Sequence, residues 1–169
     1  MPRLVLDAST AVLLAKVDLL RKVVERIETG IGNVAAREAT EKRTDDALAI
    51  TKLIEEGRLR RLPIAEGVMS LIQDFRLQAG EAEAIALAGS TGAVCGTDDG
   101  RAIRCCKVLG VRFTTAIDLL VGLTEASDLD PTLASELLLK LERFGRYHPR
   151  ILEDAALRVR AVESGGGKR

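Results

Sequence analysis

The chain has few of the residue types on which many catalytic and binding sites are built. Its 169 residues include no Trp and a single His, and aromatic residues make up 2% of the chain. One His excludes zinc sites that depend on pairs of His ligands, and the scarcity of aromatics requires a core of Leu, Val, Ile and Ala. No apolar run approaches the roughly 18 residues needed to cross a bilayer, so no membrane partner is expected.

Cysteine and net charge are also low. Three Cys, two of them adjacent at Cys105 and Cys106, do not form the pattern of a disulfide framework, which predicts a reducing, cytoplasmic location. With 25 basic and 25 acidic residues the formal net charge is zero. This balance argues against nucleic-acid binding through overall positive charge, although a local basic groove remains compatible with it. A Cys–His nucleophilic pair has no local signature, so we expect any hydrolytic chemistry to depend on carboxylates.

Short apolar segments alternate with helical patterns along the chain. The apolar segments predict strands at 3–7, 58–64, 93–97 and 111–114. Amphipathic or Ala-rich segments predict helices at 9–16, 18–28, 45–56, 66–78, 80–90, 115–126, 131–144 and 149–163, with two more in "NVAAREATEKR" and "DDGRAIRCCKVLG". The alternation predicts a three-layer α/β/α sandwich around a short parallel sheet. We expect one domain, residues 1–164, in which the last helices, 131–163, form a packing cover, and a flexible tail at 165–169.

Two acidic positions follow predicted strands directly. Asp7 ends the first apolar segment, and Asp98 and Asp99 follow "AVCGT". Ligands of parallel α/β sheets bind beyond the carboxyl ends of the strands, so these carboxylates are expected at one edge of the sheet. Carboxylate oxygens delivered to one edge favour a hard cation such as Mg²⁺ or Mn²⁺, which keeps several of its waters.

Helix capping is the alternative role for the same acids. Asp is a preferred N-cap, and both acidic positions precede predicted helices. For the first helix, however, Ser9 or Thr10 can act as the cap instead and leave Asp7 free. Thr97 offers the same alternative for the later helix.

Further acids lie within helical segments. Glu81 and Glu83, in "GEAEAIALA", are two residues apart and so about 200° apart around a helix, which prevents both from facing one site. Acids in a first helical turn are also favoured by the helix dipole alone. Glu38 and Glu41, in "VAAREATEK", are compatible with an ordinary solvated helix face.

Four motifs in this order resemble the PIN-domain nucleases. They are "LDASTAVLLAKVDLL", "VAARE", "GEAEAIALA" and "GTDDGRAIRCCKVLGV", and the resemblance runs from about residue 3 to residue 125. The chain is most similar to the subgroup with a GE-x-EA-I-x-LA helix and a TDD strand–helix turn. The resemblance implies a small α/β/α sandwich with a parallel sheet. It also implies a metal-dependent ribonuclease. Many members of the family are toxins of toxin–antitoxin pairs, so the resemblance implies that role as well.

The resemblance also implies roles for individual residues. The carboxylates expected to hold one or two Mg²⁺ or Mn²⁺ ions, and so to be catalytic, are Asp7, Glu38, Glu81 and Asp98. Asp98 is preferred to its neighbour because it comes first after the strand segment. Supporting roles are expected for Ser9, Thr97, Asp99 and Asp118, although Asp118 is either a late acid or a solvent-facing one. The expected products carry a 5′-phosphate and a 3′-hydroxyl.

Cations near these acids are the candidate contacts to substrate phosphates. Arg101 and Arg104 are three residues apart and share a helix face, and Lys16 ends the first helix near the same edge. An ordinary solvated surface position is the alternative for all three. Base stacking is expected to contribute little to specificity, because the candidate aromatics are few: Phe113, Phe144 and Tyr147. The partners that the resemblance implies are an RNA substrate and, as candidates, an antitoxin protein and a second copy of the chain.

Three other functions compete with the nuclease. The first is a PIN-like protein-interaction or metal-binding module without catalysis. The second is a phosphatase that forms an aspartyl phosphate, which would need a second Asp where the chain has Ser9. The third is a Rossmann-type nucleotide binder, which would need glycines in the first strand–helix turn, where there are none.

Overall fold

A single parallel sheet forms the centre of the molecule. The computed structural model describes residues 1–63 and 68–165, without the side chains of residues 68 and 69. Within these residues five strands pair in the order β3-β2-β1-β4-β5, and every pairing is parallel. The strands are β1 (Leu4–Leu6), β2 (Thr29–Gly32), β3 (Leu59–Leu62), β4 (Val94–Gly96) and β5 (Phe113–Thr114). The predicted α/β sandwich with a parallel sheet is therefore confirmed.

Helices cover both faces of the sheet. In the described residues they are α1 (Ala8–Lys16), α2 (Leu20–Arg26), α3 (Asn33–Thr40), α4 (Asp45–Glu55), α5 (Val68–Phe75), α6 (Ala79–Thr91), α7 (Gly100–Leu109), α8 (Ala116–Glu125), α9 (Pro131–Phe144) and α10 (Pro149–Gly165). No helix among them is both long and apolar enough to cross a membrane.

The alternation of side chains along β1 separates two cores. Leu4 and Leu6 contribute to a large core with α1–α4 and α8–α10, whereas Val5 points to the other face and packs with α6 and α7. Successive side chains of a strand point to opposite faces of a sheet, so three apolar residues in a row are required when both faces are covered. The central strand is thereby buried on both sides, and the residue that follows it, Asp7, is buried with it.

The second strand, β2, was not predicted from the sequence. Its four residues are Thr-Gly-Ile-Gly, and glycine is disfavoured in strands. Here the close approach of other side chains requires glycine. A Cβ on Gly30 would collide with the side chain of Leu62, and a Cβ on Gly32 would overlap the carboxylate of Glu83. Strand propensity therefore does not predict this strand, because contacts with distant residues require glycine at these positions.

Several predicted boundaries differ from the observed ones. The strand predicted at 58–64 ends at Leu62, and its last residue lies outside the described residues, as do the first two residues of the helix predicted at 66–78. The tail predicted at 165–169 begins one residue too early, because Gly165 still belongs to α10, and residues 166–169 lie outside the described part.

Candidate active site

Asp7 caps α1 and lies at the end of the central strand. Its amide donates to the carbonyl of Gly96 in β4 (3.0 Å), and its Oδ1 accepts hydrogen bonds from the amide of Thr10 (2.7 Å) and the hydroxyl of Ser9 (3.1 Å). Of the alternatives for the cap of this helix, the structure therefore has Asp7 and not Ser9 or Thr10. The extended backbone of Asp7 (φ −76°, ψ 168°) places it, and not its successors, at the cap position.

The second carboxylate oxygen of Asp7 has no such partner. Asp7 has no exposed surface, and its Oδ2 is buried without a hydrogen bond. A buried carboxylate oxygen without a donor is costly, because it has lost its hydration. The Thr97 side chain is close enough to offset part of this cost and lowers the pKa of Asp7. Capping and cation binding are therefore compatible here, since they would use different oxygens of one side chain.

Asp98 lies beside Asp7 and is held by three elements. The hydroxyl of Thr10 in α1 donates to its Oδ2 (3.0 Å), and the amide of Ala116 in α8 lies 3.2 Å from each carboxylate oxygen. The hydroxyl of Tyr147, from the connection between α9 and α10, donates to Oδ1 (2.6 Å). Thr10 thus binds both acids, Asp7 through its amide and Asp98 through its hydroxyl.

Asp99 caps α7, a role for which Asp and Thr97 were the alternatives. Its Oδ1 accepts from the amides of Arg101 (2.7 Å) and Ala102 (3.0 Å) at the start of α7. Thr97 is fully buried, and its hydroxyl accepts a hydrogen bond from the Asp99 amide (3.3 Å). Of the two alternatives for the cap of α7, the structure has the aspartate, because Thr97 lies too early in the turn to reach the free amides of α7.

Glu81 lies on the same side as the two aspartates. One of its oxygens accepts from the amide of Gln78 (2.9 Å), which fixes the side chain against the first turn of α6. It lines one cleft together with Asp98 and Asp99. Glu81 and Glu83 do not face the same space, as their helical spacing predicted.

Glu83 has a structural role that the sequence did not reveal. It is fully buried, and its Oε2 accepts from the amides of Val34 (2.8 Å) and Ala35 (3.0 Å) in the first turn of α3. These amides have no partner within their helix, and a carboxylate is favoured at a helix N-terminus. Its other oxygen, Oε1, is buried without a hydrogen bond. The only sequence signal was Gly32, whose missing side chain leaves room for the carboxylate.

Glu38 reaches the site from α3. Its carboxylate lies against Gly80 at the start of α6, where a Cβ would collide with it. Burial raises the pKa of Glu38, a hydrogen bond from the Gly80 amide opposes the rise, and the charges of Glu83 and Asp7 add to it. Glu38 is thus electrostatically connected to the acids at the strand ends, although its side chain is mostly exposed.

Burial is the main cause of the raised pKa values of these carboxylates, and the charge of Asp7 adds a smaller contribution to three of them. Burial raises the pKa of Asp7 above its ordinary value of 3.8, and burial is also the largest cause of the raised pKa values of Asp98 and Glu81. In Asp98, Glu81 and Glu38 the charge of Asp7 contributes to the rise in pKa. Mutual repulsion of this kind is relieved when a divalent cation binds between the groups.

Asp118 takes part in the cap of α8, whereas two of the three predicted cations lie near the acids. Asp118 is exposed and forms a reciprocal cap with Thr115 at the start of α8, so its role as a late acid stays a prediction. Lys16 lines the same cleft as Glu81, and Arg101 lies 4.0 Å from Asp99. Arg104 is exposed on α7, and in the described part of the chain no hydrogen bond or ion pair joins it to the acids.

The fit of these acids to a divalent cation can be judged from the carboxylates themselves. Within the described residues, no group of three or more His, Cys, Asp or Glu side chains is placed to hold a metal ion by itself. Mg²⁺, however, keeps several waters and is usually bound through one or two carboxylates. The carboxylate of Asp7, with its unpartnered Oδ2, and the carboxylate of Asp98 beside it meet that requirement. The four-carboxylate set of Asp7, Glu38, Glu81 and Asp98 stays a prediction.

We expect Glu83→Ala to lower the free energy of unfolding by about 3 kcal/mol, because it leaves two amides in the first turn of α3 without an acceptor and opens a cavity. Glu83→Gln keeps an oxygen acceptor and should cost clearly less. Urea unfolding at neutral pH measures both variants, with exposed Glu25→Ala in α2 as the control that changes little. Equal stability of Glu83→Ala and the wild type would contradict the proposed anchoring of α3.

The raised pKa values predict how stability depends on pH in metal-free buffer. A carboxyl with a raised pKa binds its proton more tightly in the folded chain than in the unfolded chain. The protonated group therefore contributes most to the stability of the folded chain below its ordinary pKa, which is 3.8 for Asp7. That contribution is lost as the pH rises through the raised pKa. Asp7→Asn, which retains a capping side chain, should therefore gain stability relative to the wild type as the pH rises from 3.8 towards neutral. Urea unfolding across this range tests it, and a constant difference would contradict it.

Comparison with known proteins gives one family match. Residues 3–161 match a protein-family model described as PIN domain. No curated protein matches the chain. The family match covers the sheet, the acids at its carboxyl edge and most of α10. The chain therefore belongs to the PIN-domain family, whose members are in general metal-dependent nucleases.

Proposed function

We propose that the protein is a metal-dependent endoribonuclease that hydrolyses phosphodiester bonds of RNA. The observation that carries the proposal is the buried Oδ2 of Asp7, which has no hydrogen-bond partner and lies among acids with raised pKa values. Such an oxygen is stabilised by a cation. Glu83 also keeps an unpartnered oxygen, but Asp7 differs from it in lying at a strand end beside Asp98, where a cation can be shared. Membership of the PIN-domain family supports the same reaction class.

Asp7, Glu38, Glu81 and Asp98 are the residues that would hold Mg²⁺ or Mn²⁺. When bound, such an ion lowers the pKa of a coordinated water and neutralises charge on the phosphoryl oxygens. The chain itself keeps the acids in position. Thr10 holds Asp7 through its amide and Asp98 through its hydroxyl, and the Ala116 amide fixes Asp98 from α8. Ser9 donates to the capping oxygen of Asp7, which leaves Oδ2 available.

Substrate phosphates would contact cations at the edge of this acidic site. Lys16 lines the cleft that contains Glu81, Asp98 and Asp99, and Arg101 is fixed near Asp99. We assign both to phosphate binding, with Arg104 further along the same helix. Because the net charge is zero, RNA affinity should be modest and should fall steeply with salt.

The toxin of a toxin–antitoxin pair is the biological role that we propose. It rests on the similarity of the sequence motifs to toxin nucleases, with an antitoxin protein as the partner and a homodimer as the assembly. A reducing, cytoplasmic location is supported by the three Cys, which are free and buried in the described structure.

A PIN-like module without catalysis is the second candidate. It is favoured by the finding that, across the described residues, no three acids are placed to hold a metal ion by themselves. It is also favoured by Asp98, because protein donors already bond both of its oxygens. Such a module would retain the fold and the acids but would cleave nothing when Mg²⁺ or Mn²⁺ is added.

Cleavage assays separate the two candidates. We expect the wild type to cleave single-stranded RNA in Mn²⁺ or Mg²⁺ but not in chelator, and to leave 5′-phosphate ends. Asp7→Asn and Asp98→Asn should each lower the rate by two orders of magnitude or more, since a lost site charge weakens cation binding and transition-state stabilisation.

The matched control for these variants is Glu25→Gln, an exposed carboxylate in α2, just before β2 begins, and thus at the opposite edge of the sheet. It should cleave like the wild type. Cleavage that persists unchanged in Asp7→Asn would contradict the proposed site, and no cleavage by the wild type with either ion would favour the inactive module.

The toxin role has its own test. Induced expression of the wild type in bacteria should arrest growth and degrade a subset of RNAs, whereas Asp7→Asn should permit growth at equal protein level. Co-expression of the product of the neighbouring gene should relieve the arrest and co-purify with the toxin. Unimpaired growth with an enzyme that is active in vitro would argue for a stand-alone nuclease.

A further inference from the structure

A cleft of about 340 Å³ adjoins the candidate active site. One wall is α1, with Ser9 and Lys16, and the other is the end of α9 with the connection to α10, from Phe144 to Tyr147. Glu81, Asp98 and Asp99 also line it. Its volume is within the range of small-ligand sites, about 300–1,000 Å³. The resemblance assigned no role to the C-terminal wall.

Phe144 gives that wall an exposed aromatic surface. Its side chain is 49% exposed, and among the large apolar residues exposed in the described structure it is the aromatic one. The guanidinium of Arg143 lies 5.5 Å from the ring centroid, a cation–π contact that restricts the ring. A restricted, solvent-facing ring is suited to stacking with a nucleobase, which is worth about 1–3 kcal/mol per base.

Tyr147 fixes the same wall to the acids. Its hydroxyl donates to Asp98 (2.6 Å), and its ring is half-buried in the cleft. Two of the four aromatic residues of the chain therefore lie in one cleft next to a candidate catalytic carboxylate. The sequence alone did not indicate this grouping, because Phe144 and Tyr147 are far from the acids along the chain.

Two cations face the cleft from opposite walls. Lys16 ends α1 and Arg146 lies between Phe144 and Tyr147, and both are exposed. Neither belongs to an ion pair within the described residues, unlike Arg101, which lies near Asp99. Unpaired cations beside an acidic site provide contacts for a phosphate, whereas the acids repel it unless cations are bound.

We propose that this cleft binds one unpaired nucleotide of a single-stranded RNA, with its base stacked on Phe144 and its phosphate contacted by Lys16 and Arg146. The inference rests on the proposed function for its assignment of the substrate as RNA. A stacking site of this kind needs a base that is free of its neighbours, which a duplex does not offer. Selectivity for unpaired RNA would thus come from the C-terminal wall and not from the acids.

The test measures binding separately from cleavage. A single-stranded RNA of about eight nucleotides, with one 2-aminopurine and non-hydrolysable phosphate analogues, is titrated with protein in Mn²⁺, and its fluorescence quenching reports stacking. We expect Phe144→Leu to weaken binding about tenfold and to reduce quenching without changing the salt dependence, and Phe144→Trp to restore both. The double variant Lys16→Ala, Arg146→Ala should instead lower the slope of log Kd against log salt by about 0.7 for each lost phosphate contact.

Matched controls are Leu139→Ala, exposed on the same helix, and Lys22→Ala, an exposed cation of α2, which should bind like the wild type. Phe144→Leu with wild-type affinity and quenching would overturn the inference, even if the wild type cleaves RNA with Mn²⁺ and the proposed function stands. Phe144-dependent binding without any cleavage would support the inference and overturn the nuclease. Absent binding of the single strand, or equal binding of the annealed duplex, would also overturn the inference.

Discussion

The arrangement of this site depends on the burial of one carboxylate. Asp7 follows the central strand, has no exposed surface and keeps one oxygen without a hydrogen bond. Its charge contributes to the raised pKa values of three other acids, so each of them is affected by whatever neutralises Asp7. A fold that buries such a group without a counter-charge is less stable than it would be with an apolar residue. That cost is understandable if the oxygen has a ligand during function.

Much of the fold followed from patterns that local physics controls. Three apolar residues at Leu4–Leu6 between two helical patterns predict a strand buried on both faces, and the strand forms the boundary between two cores. The strand Thr29–Gly32 could not be predicted in this way. Its glycines are there because the side chains of Leu62 and Glu83 occupy the adjacent space, which is a property of distant parts of the chain.

For the site, the position of the acids could be predicted from the sequence, whereas their hydrogen bonds could not. Acids at the ends of parallel strands had to share one edge, and Asp7 and Asp98 do so, joined through Thr10. The details depended on backbone conformation that the sequence does not encode locally. The sequence left open whether Asp7 or a following hydroxyl caps α1, and the structure has Asp7 as the cap. Glu83 is an acceptor for α3 because two helices from different parts of the chain meet there.

The hydrogen bond between Tyr147 and Asp98 has a thermodynamic consequence for the whole C-terminal region. It joins the connection between α9 and α10 to the acidic edge of the sheet, across 49 positions of the chain. Any molecule that binds these helices and displaces the connection must alter the environment of Asp98. Linkage is reciprocal, so occupation of the acidic edge must change the affinity of that molecule by the same factor. The last two helices therefore do more than pack on the core: a molecule that binds them and displaces the connection is thermodynamically coupled to the occupation of the site.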